Sequence, residues 1–340
     1  MKLAPAGAAL ALLLAVLPAG AQNVKITPIG SHPGELCAND RATIFEDPTG
    51  VRILYDAGQT VTGGDDPRLG IIHAVLLSHA HGDHIGDMKL KAVGAGTCAS
   101  SERVSAAPNS TTAEIAAAKN AAIVMQGDMA PFIGRKVQNI TGKPVNPCPQ
   151  TDGVTTVPVA TACRSVTHLG GTFVAKTASA AKGVEITIVY ASHANNVPLS
   201  LLSEAHRAAL APDDTSIVLG PPTGYVVKFT NGLVAYLSGD TGMHTEMKTV
   251  VRDFHHANLA LFNLGSTAAS VTASAYAMNE LVRPASVIIS HVNEAATQDG
   301  KLRPASRTAA IVKLIKAPTH LALSERTMEF DGKGKCVSGC

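Results

Sequence analysis

Leu76-Leu77-Ser78-His79-Ala80-His81-Gly82-Asp83-His84-Ile85-Gly86-Asp87 contains three histidines and an aspartate within six residues. The apolar run at 74–77 directly precedes the polar residues of this stretch and is typical of a buried strand. In an extended chain, side chains two positions apart share a face, so His79 and His81 can face one metal ion. The glycine that follows allows a turn, which directs the next aspartate and histidine toward a neighbouring point. Imidazoles and carboxylates are ligands of Zn²⁺ and similar metals. The predicted ligands in this stretch are His79, His81, Asp83 and His84.

Three further candidate ligands follow apolar strands later in the chain. Strands predicted at 184–190, 233–237 and 285–289 lead to His193, Asp240 and His291, respectively. Ligand sites of α/β proteins are built at the ends of strands. We therefore expect these three side chains to converge with the first stretch on a pair of cations that activate water.

Three further histidines are not predicted to be metal ligands. His244 lies on a helix predicted at 243–254, near enough to Asp240 to contact the substrate, and is a candidate catalytic residue. His32 and His168 lie in glycine-containing turns, so we interpret both as turn residues rather than ligands. Contact of His32 or His168 with a substrate is left open.

The His-x-His-x-Asp-His pattern at 79–84 resembles the signature of the metallo-β-lactamase superfamily. The resemblance covers roughly residues 24–325 and is clearest at 168–195, 224–247 and 261–292, where the chain resembles predicted metal-dependent hydrolases related to ascorbate-6-phosphate lactonases. It implies an α/β fold, a four-layer αββα sandwich. It also implies two divalent metal ions between the sheets, with zinc as the default metal.

Carried over position by position, the resemblance implies which residue serves which ion. The first ion takes His79, His81 and His193, the second takes Asp83, His84 and His291, and Asp240 bridges them. Asp83 is also a candidate catalytic residue, because it would orient a metal-bound hydroxide and take up its proton. The implied function is a metal-dependent hydrolase in which this hydroxide attacks an ester, lactone or phosphodiester.

Two alternatives stay open at this point. Zinc β-lactamases resemble the motif but typically lack an aspartate at the place of Asp240, so a β-lactam hydrolase is the secondary enzymatic interpretation. A non-catalytic, metal-binding exported protein is the other, although a retired site would usually lose a ligand. A serine β-lactamase is rejected, because Ser179-Ala180-Ala181-Lys182 lies between two predicted strands and the partner motifs Ser-Asp-Asn and Lys-Thr-Gly do not occur in the sequence.

The N-terminus predicts export. Lys2 precedes an apolar core at 8–17, and small residues follow, so residues 1–21 are predicted to be a signal peptide that is cleaved after Ala21. The product is expected to be periplasmic or secreted, without a membrane anchor. The predicted organisation is a hydrolase domain at 22–330, with insertions near 89–108 and 139–165, and a cysteine-containing tail at 331–340.

Composition limits the partners. A formal net charge of +2, with 16% charged residues and no Trp, offers neither a basic stripe nor stacking platforms, so nucleic acid is excluded. We expect a small-molecule substrate, and the oligomeric state is left open.

Six cysteines in an exported chain predict disulfide bonds. We expect Cys336 to pair with Cys340, and a second pair to form among Cys98, Cys148 and Cys163.

Overall fold

A computed structural model describes residues 22–165, 167–265 and 270–340. The predicted signal peptide at 1–21 lies outside the described residues. The described chain forms two eight-stranded sheets that share one apolar core, with helices packed against them. The α/β sandwich implied by the resemblance is therefore confirmed.

The strands are numbered along the chain. The first ten are β1 (Val24–Ile29), β2 (Ala42–Glu46), β3 (Arg52–Tyr55), β4 (Ala74–Leu76), β5 (Met88–Leu90), β6 (Arg103–Ser105), β7 (Ala122–Val124), β8 (Val154–Val157), β9 (Cys163–Arg164) and β10 (Thr172–Thr177). The second ten are β11 (Val184–Tyr190), β12 (Thr223–Lys228), β13 (Val234–Leu237), β14 (Leu259–Asn263), β15 (Ser286–Ser290), β16 (Thr297–Gln298), β17 (Lys301–Leu302), β18 (Thr319–Leu321), β19 (Met328–Phe330) and β20 (Cys336–Ser338). The first sheet has the order β20-β19-β1-β2-β3-β4-β7-β9, and the second has the order β18-β15-β14-β13-β12-β11-β10-β8.

The helices are short. The α-helices are α1 (Gly82–Ile85), α2 (Thr111–Lys119), α3 (Ala130–Thr141), α4 (Glu204–Leu210), α5 (Val271–Tyr276) and α6 (Arg307–Val312). Two wider, π-type helical segments lie at Met247–Arg252 and Ala277–Val282, and three 3₁₀ turns lie at Gly127–Met129, Leu199–Leu201 and Ala211–Asp213. Within the described parts of the chain, no helix has the length and apolar character that crossing a membrane requires.

Parallel pairing in the second sheet brings distant residues to one edge. β13 pairs in parallel with β14, and β14 pairs in parallel with β15. β14 and β15 are buried along their whole length, which explains why their sequences read as nearly continuous apolar runs. The carboxyl ends of these three strands consequently lie side by side, and the segments that follow them meet at the same edge.

The core between the sheets contains most of the large aromatic residues. Phe45 of β2 stacks on Phe229, which directly follows β12, with ring centroids 6.0 Å apart. Tyr55 meets Tyr225 edge to face at 6.2 Å. The Tyr225 hydroxyl donates hydrogen bonds to the carbonyl oxygen of Leu77, at 2.6 Å, and to that of Val124. The core therefore also anchors the end of the strand that leads into the histidine motif.

Three segments that the sequence suggested to be loops or a tail contain strands. Around 89–108, β5 and β6 form a hairpin. Around 139–165, β8 extends the second sheet beside β10, and β9 extends the first beside β7. At the C-terminus, β20 pairs with β19. Short edge strands are joined by backbone hydrogen bonds and bury little side-chain surface, so their apolar pattern is weak.

The six cysteines form three disulfide bonds. Cys148 pairs with Cys163 and Cys336 with Cys340, as expected, whereas Cys98 pairs with Cys37, 61 positions away. The Cys37–Cys98 bond joins the hairpin of β5 and β6 to the loop that precedes β2.

Candidate metal centre

The histidine motif begins where β4 ends. His81 is extended, with φ −60° and ψ 147°, and α1 begins at the next residue. The turn that ends α1 falls at Gly86, where φ is 79°. A Cβ atom at Gly86 would lie 1.8 Å from Thr111 Oγ1 and 2.4 Å from the carbonyl oxygen of Gly58, so glycine is required there. This turn holds α1 against its neighbours and so fixes the direction of the motif.

The structure brings the seven predicted ligands together. They form three overlapping groups, and within each group one ligand atom per residue lies within 4.8 Å of the others. The groups are His79 with His81 and His193, His79 with His84 and Asp240, and Asp83 with His84 and His291.

Asp240 lies between two of these groups, which we call the outer groups: His79 with His81 and His193, and Asp83 with His84 and His291. Its Oδ1 is 3.1 Å from Nε2 of His291 and 3.3 Å from Nε2 of His84. Its Oδ2 is 3.7 Å from Nε2 of His193. One buried carboxylate thus faces histidines from both groups, as a bridging ligand must.

His291 is held in place by its backbone and by a neighbouring glycine. It follows β15 with a φ of 50°, a left-handed conformation that residues other than glycine adopt less often. A Cβ atom at Gly265, which follows β14, would lie 1.8 Å from Nδ1 of His291. The imidazole therefore occupies the space that any other residue at position 265 would fill.

The loop of His193 is fixed to the histidine motif by Asn195. The side-chain oxygen of Asn195 accepts a hydrogen bond from the amide of Ala80 at 2.7 Å, and its amide group donates to the carbonyl oxygen of Leu219 at 2.8 Å. Asn195 is buried. This residue was not among the predicted site residues, because an asparagine in a loop has no distinctive pattern in the sequence.

Asp56 orients His84. Its Oδ2 lies 2.8 Å from Nδ1 of His84, and its two oxygens accept hydrogen bonds from the hydroxyl and the amide of Ser78 at 2.7 and 2.8 Å. A carboxylate on one ring nitrogen of a histidine turns the other nitrogen toward the ion. The Asp56-Ala57-Gly58 turn after β3 was the available sequence signal, but it did not identify a partner.

Arg41 orients Asp83. Its Nε and Nη2 donate to Oδ2 of Asp83 at 3.1 and 2.9 Å, and Nη2 also donates to the side-chain oxygen of Asn293. The Arg41 side chain is only 2% exposed, so its charge is compensated inside the protein by this carboxylate. Neither Arg41 nor Asn293 had a recognisable signal in the sequence.

The charges of the cluster perturb its ionisable groups in opposite directions. Burial alone would lower the pKa of His84, but the carboxylates of Asp240, Asp83 and Asp56 outweigh it and raise that pKa to about 10. Burial alone would raise the pKa of Asp240, but His291 and His84 hold it well below its usual value. Burial alone would also raise the pKa of Asp83, but His84 and Arg41 hold that pKa well below its usual value.

The first histidine group is neutral. Burial, reinforced by the neighbouring His84, lowers the pKa of His79 well below its usual value. Burial also lowers the pKa of His81, with His193 adding to the effect, and burial is the main cause of the lowered pKa of His193. Neutral imidazoles with free lone pairs are the form that binds metal ions.

The donor set fits divalent cations. Nε2 of His79 is buried and has no hydrogen-bond partner among the described residues. Nε2 of His84 and Nε2 of His291 lie only 3.0 Å apart and point toward the same carboxylates. The raised pKa of His84 shows that the surrounding carboxylates favour a positive charge at this position. Imidazole nitrogens and carboxylate oxygens converging in this way suit zinc and other first-row divalent ions.

His244 lies outside the three ligand groups. Its ring meets Tyr190 edge to face at 5.2 Å, and both ring nitrogens are buried without a hydrogen-bond partner in the described part of the chain. Burial lowers the pKa of His244. Of the two turn histidines, Nδ1 of His32 lies 3.1 Å from the hydroxyl of Ser31, and His168 is exposed.

The chain is similar to curated proteins named UPF0173 metal-dependent hydrolases. The relative from Polynucleobacter asymbioticus is 28% identical over 125 residues, which are 35% of this chain and 40% of the relative. The relative from Cupriavidus metallidurans is 25% identical over 250 residues, 69% of this chain and 66% of the relative. The relative from Staphylococcus carnosus is 23% identical over 257 residues, 74% of this chain and 81% of the relative. The match thus spans less than two thirds of the first two relatives. No family model matches the chain.

Solved structures share the fold. The structure of Igni18, described as a novel metallo hydrolase from Ignicoccus hospitalis, superimposes with a TM-score of 0.53 and 19% identity, and the match covers 91% of this chain and 99% of that one. The metallo-β-lactamase fold protein YhfI from Bacillus subtilis has a TM-score of 0.49 and 13% identity. That match covers 91% of this chain and 99% of YhfI. The fold that the superfamily resemblance implies is confirmed, whereas the relation to ascorbate-6-phosphate lactonases stays a prediction.

Proposed function

We propose that this chain is a protein of the metallo-β-lactamase superfamily and that it acts as a dinuclear metal-dependent hydrolase. The observation that carries the proposal is the position of Asp240, whose two oxygens face histidines of both outer groups. The names of the curated relatives support hydrolase activity, and the donor set described above supports divalent cations.

Each ion would have its own set of ligands. The first ion would be held by His79, His81 and His193, the second by Asp83, His84 and His291, and Asp240 would contact both. When bound, such ions polarise a carbonyl or phosphoryl oxygen and bring the pKa of a water molecule close to neutrality. We take zinc as the default metal.

Asp83 would orient the attacking water. Arg41 donates two hydrogen bonds to Oδ2 of Asp83, so the direction of the carboxylate is fixed. Because the pKa of Asp83 lies well below its usual value, this carboxylate accepts a hydrogen bond from water more readily than it stores a proton. The two hydrogen bonds from Arg41 therefore support an orienting role for Asp83.

His244 is the proposed contact for the substrate. Its two ring nitrogens are free of protein hydrogen bonds in the described chain, and its ring is braced by Tyr190. A neutral imidazole in such a position can donate or accept one hydrogen bond from a polar substrate. We place the substrate among small esters, lactones and phosphodiesters, whose polarised oxygens suit a dinuclear site.

We also propose that the mature chain works outside the cytoplasm. The predicted signal peptide at 1–21 supports this location, and so do three disulfide bonds, which persist in oxidising compartments.

The proposal is tested by measuring metal content and hydrolysis together. The purified chain is assayed for bound metals and then against lactone, ester, phosphodiester, thioester and β-lactam substrates, with and without a chelator. We expect about two ions per chain and chelator-sensitive hydrolysis of an ester, lactone or phosphodiester. His81→Gln should lower both readouts, whereas His206→Gln, an exposed histidine on α4, should change neither.

Each other outcome has a defined meaning. Chelator-sensitive hydrolysis restricted to β-lactams would replace the proposed substrate class by the β-lactamase alternative. Two bound ions without hydrolysis of any substrate class would favour the non-catalytic alternative. Hydrolysis that survives both the chelator and His81→Gln would refute the metal-dependent mechanism.

A further inference from the structure

A second group of metal-ligating side chains lies outside the candidate centre. His320, Cys336 and Cys340 each offer one ligand atom, and these three atoms lie within 4.8 Å of one another. None of them belongs to the seven residues described above. His320 lies on β18, at the edge of the second sheet, and Cys336 on β20, at the edge of the first, so the group connects the edges of the two sheets.

The group borders a large cavity. The cavity has a volume of about 800 Å³, and its walls include His320, Met328 and Cys340. Nε2 of His320 is buried and lacks a hydrogen-bond partner in the described residues. The other face of this imidazole is fixed, because the ring meets Phe330 edge to face at 5.7 Å. A buried ring nitrogen without a partner beside two sulfur atoms points to a ligand that is absent from the disulfide form.

The Cys336–Cys340 bond is the most accessible of the three disulfides. Cys340 is exposed and Cys336 is half-buried, whereas Cys37, Cys148 and Cys163 are buried. Exposed disulfides react first with thiol reductants.

We propose that reduction of the Cys336–Cys340 disulfide creates a second metal site, in which the two thiolates and His320 bind one thiophilic ion. An external dithiol supplies two electrons and two protons, so the disulfide becomes two thiols while the dithiol becomes a disulfide. Binding of the ion then releases the thiol protons to solvent. The buried Met328 lines the wall of the same cavity.

Two thiolates and one imidazole select soft or borderline ions. Zn²⁺ and Cu⁺ both accept this donor set, whereas Mg²⁺ and Ca²⁺ prefer oxygen ligands. Because His320 lies at the edge of the second sheet and Cys336 at the edge of the first, the bound ion would cross-link the two sheets, which the Cys336–Cys340 disulfide does not do. The site is thus expected to be closed to metal in the oxidised chain and open in the reduced chain.

The test uses the full chain and Co²⁺ as a spectroscopic probe. The chain is treated mildly with a dithiol, the dithiol is removed without oxygen, and alkylation with mass analysis identifies the free cysteines. We expect free thiols at Cys336 and Cys340, one additional Co²⁺ per chain, and an absorption band of sulfur-to-cobalt charge transfer. The candidate centre described above has only nitrogen and oxygen donors, so cobalt bound there contributes no such band.

Variants and competitors complete the test. The double variant Cys336→Ser/Cys340→Ser should lose the band, and His320→Gln should weaken cobalt binding at least tenfold, whereas His206→Gln should leave it unchanged. Zn²⁺ and Cu⁺ are titrated separately. The ion that displaces cobalt at the lower concentration is the metal that the site prefers. Absence of the band in a chain with both thiols free, or a band that survives the double variant, would overturn the inference.

Discussion

Replacing Asp240 by asparagine is the sharpest test of the candidate centre. The substitution keeps the shape of the side chain but removes the negative charge that faces both histidine groups. The carboxylate oxygens of Asp240 lie 3.1 to 3.7 Å from Nε2 of His291, His84 and His193. Each ion bound by those nitrogens would therefore also lie close to this carboxylate. The change should therefore affect both ions, unlike the loss of a histidine from one group.

The size of the effect follows from the charge that is lost. Two unit charges 4 Å apart interact by about 4 kcal/mol when the effective dielectric constant is about 20, so a carboxylate and a divalent ion at that distance interact by about 8 kcal/mol. The amide oxygen of asparagine and a water molecule recover part of this energy. We expect a net loss of about 3–4 kcal/mol, which corresponds to a decrease in metal affinity of roughly 10²- to 10³-fold.

The assay combines metal content with activity. Wild type and Asp240→Asn are dialysed against buffered Zn²⁺, and bound zinc and the rate of hydrolysis are measured on the same samples. Asp213→Asn, on an exposed turn, is the matched control and should behave as wild type. Circular dichroism checks that the metal-free variant is folded. Two tightly bound ions together with the wild-type rate in Asp240→Asn would refute the bridging role.

Substitutions and pH changes around the cluster have equally defined expected outcomes. Asp56→Asn removes the carboxylate on Nδ1 of His84 and should lower metal affinity about 10- to 100-fold in a competition titration. Gly265→Ala would place a Cβ atom 1.8 Å from His291 and should abolish binding of one ion by metal analysis, whereas Gly134→Ala, whose Cβ atom meets nothing closer than 3.8 Å, should not. Because the pKa of His84 is raised from 6.5 to about 10, the metal-free protein holds a proton there at pH 7.5, and calorimetry in two buffers should detect its release on metal binding. That proton stabilises the metal-free fold fully below pH 6.5, so the melting temperature should fall as pH rises toward 10, after the contributions of other groups are matched in a His84→Gln control.

The family resemblance of the sequence implied the fold class, and the residue types and their positions after predicted strands selected the seven side chains that the structure brings together. The reason is chemical, because metal-binding side chains belong to few residue types, and a buried strand before each of them has a readable apolar pattern. β11 was predicted with the bounds that the structure has. The His-x-His-x-Asp-His pattern also carries its own local geometry, since its residues are neighbours in the chain.

The contacts that hold those side chains in place depended on tertiary structure. Arg41 meets Asp83 across 42 positions and Asp56 meets His84 across 28, and nothing in the sequence near these residues indicates the pairing. The partner of Cys98, the edge strands near residues 154 and 163, and the group around His320 likewise arise from long-range packing. Local patterns report which face of an element is buried, whereas the choice of its neighbour is made by the sheet order of the whole domain.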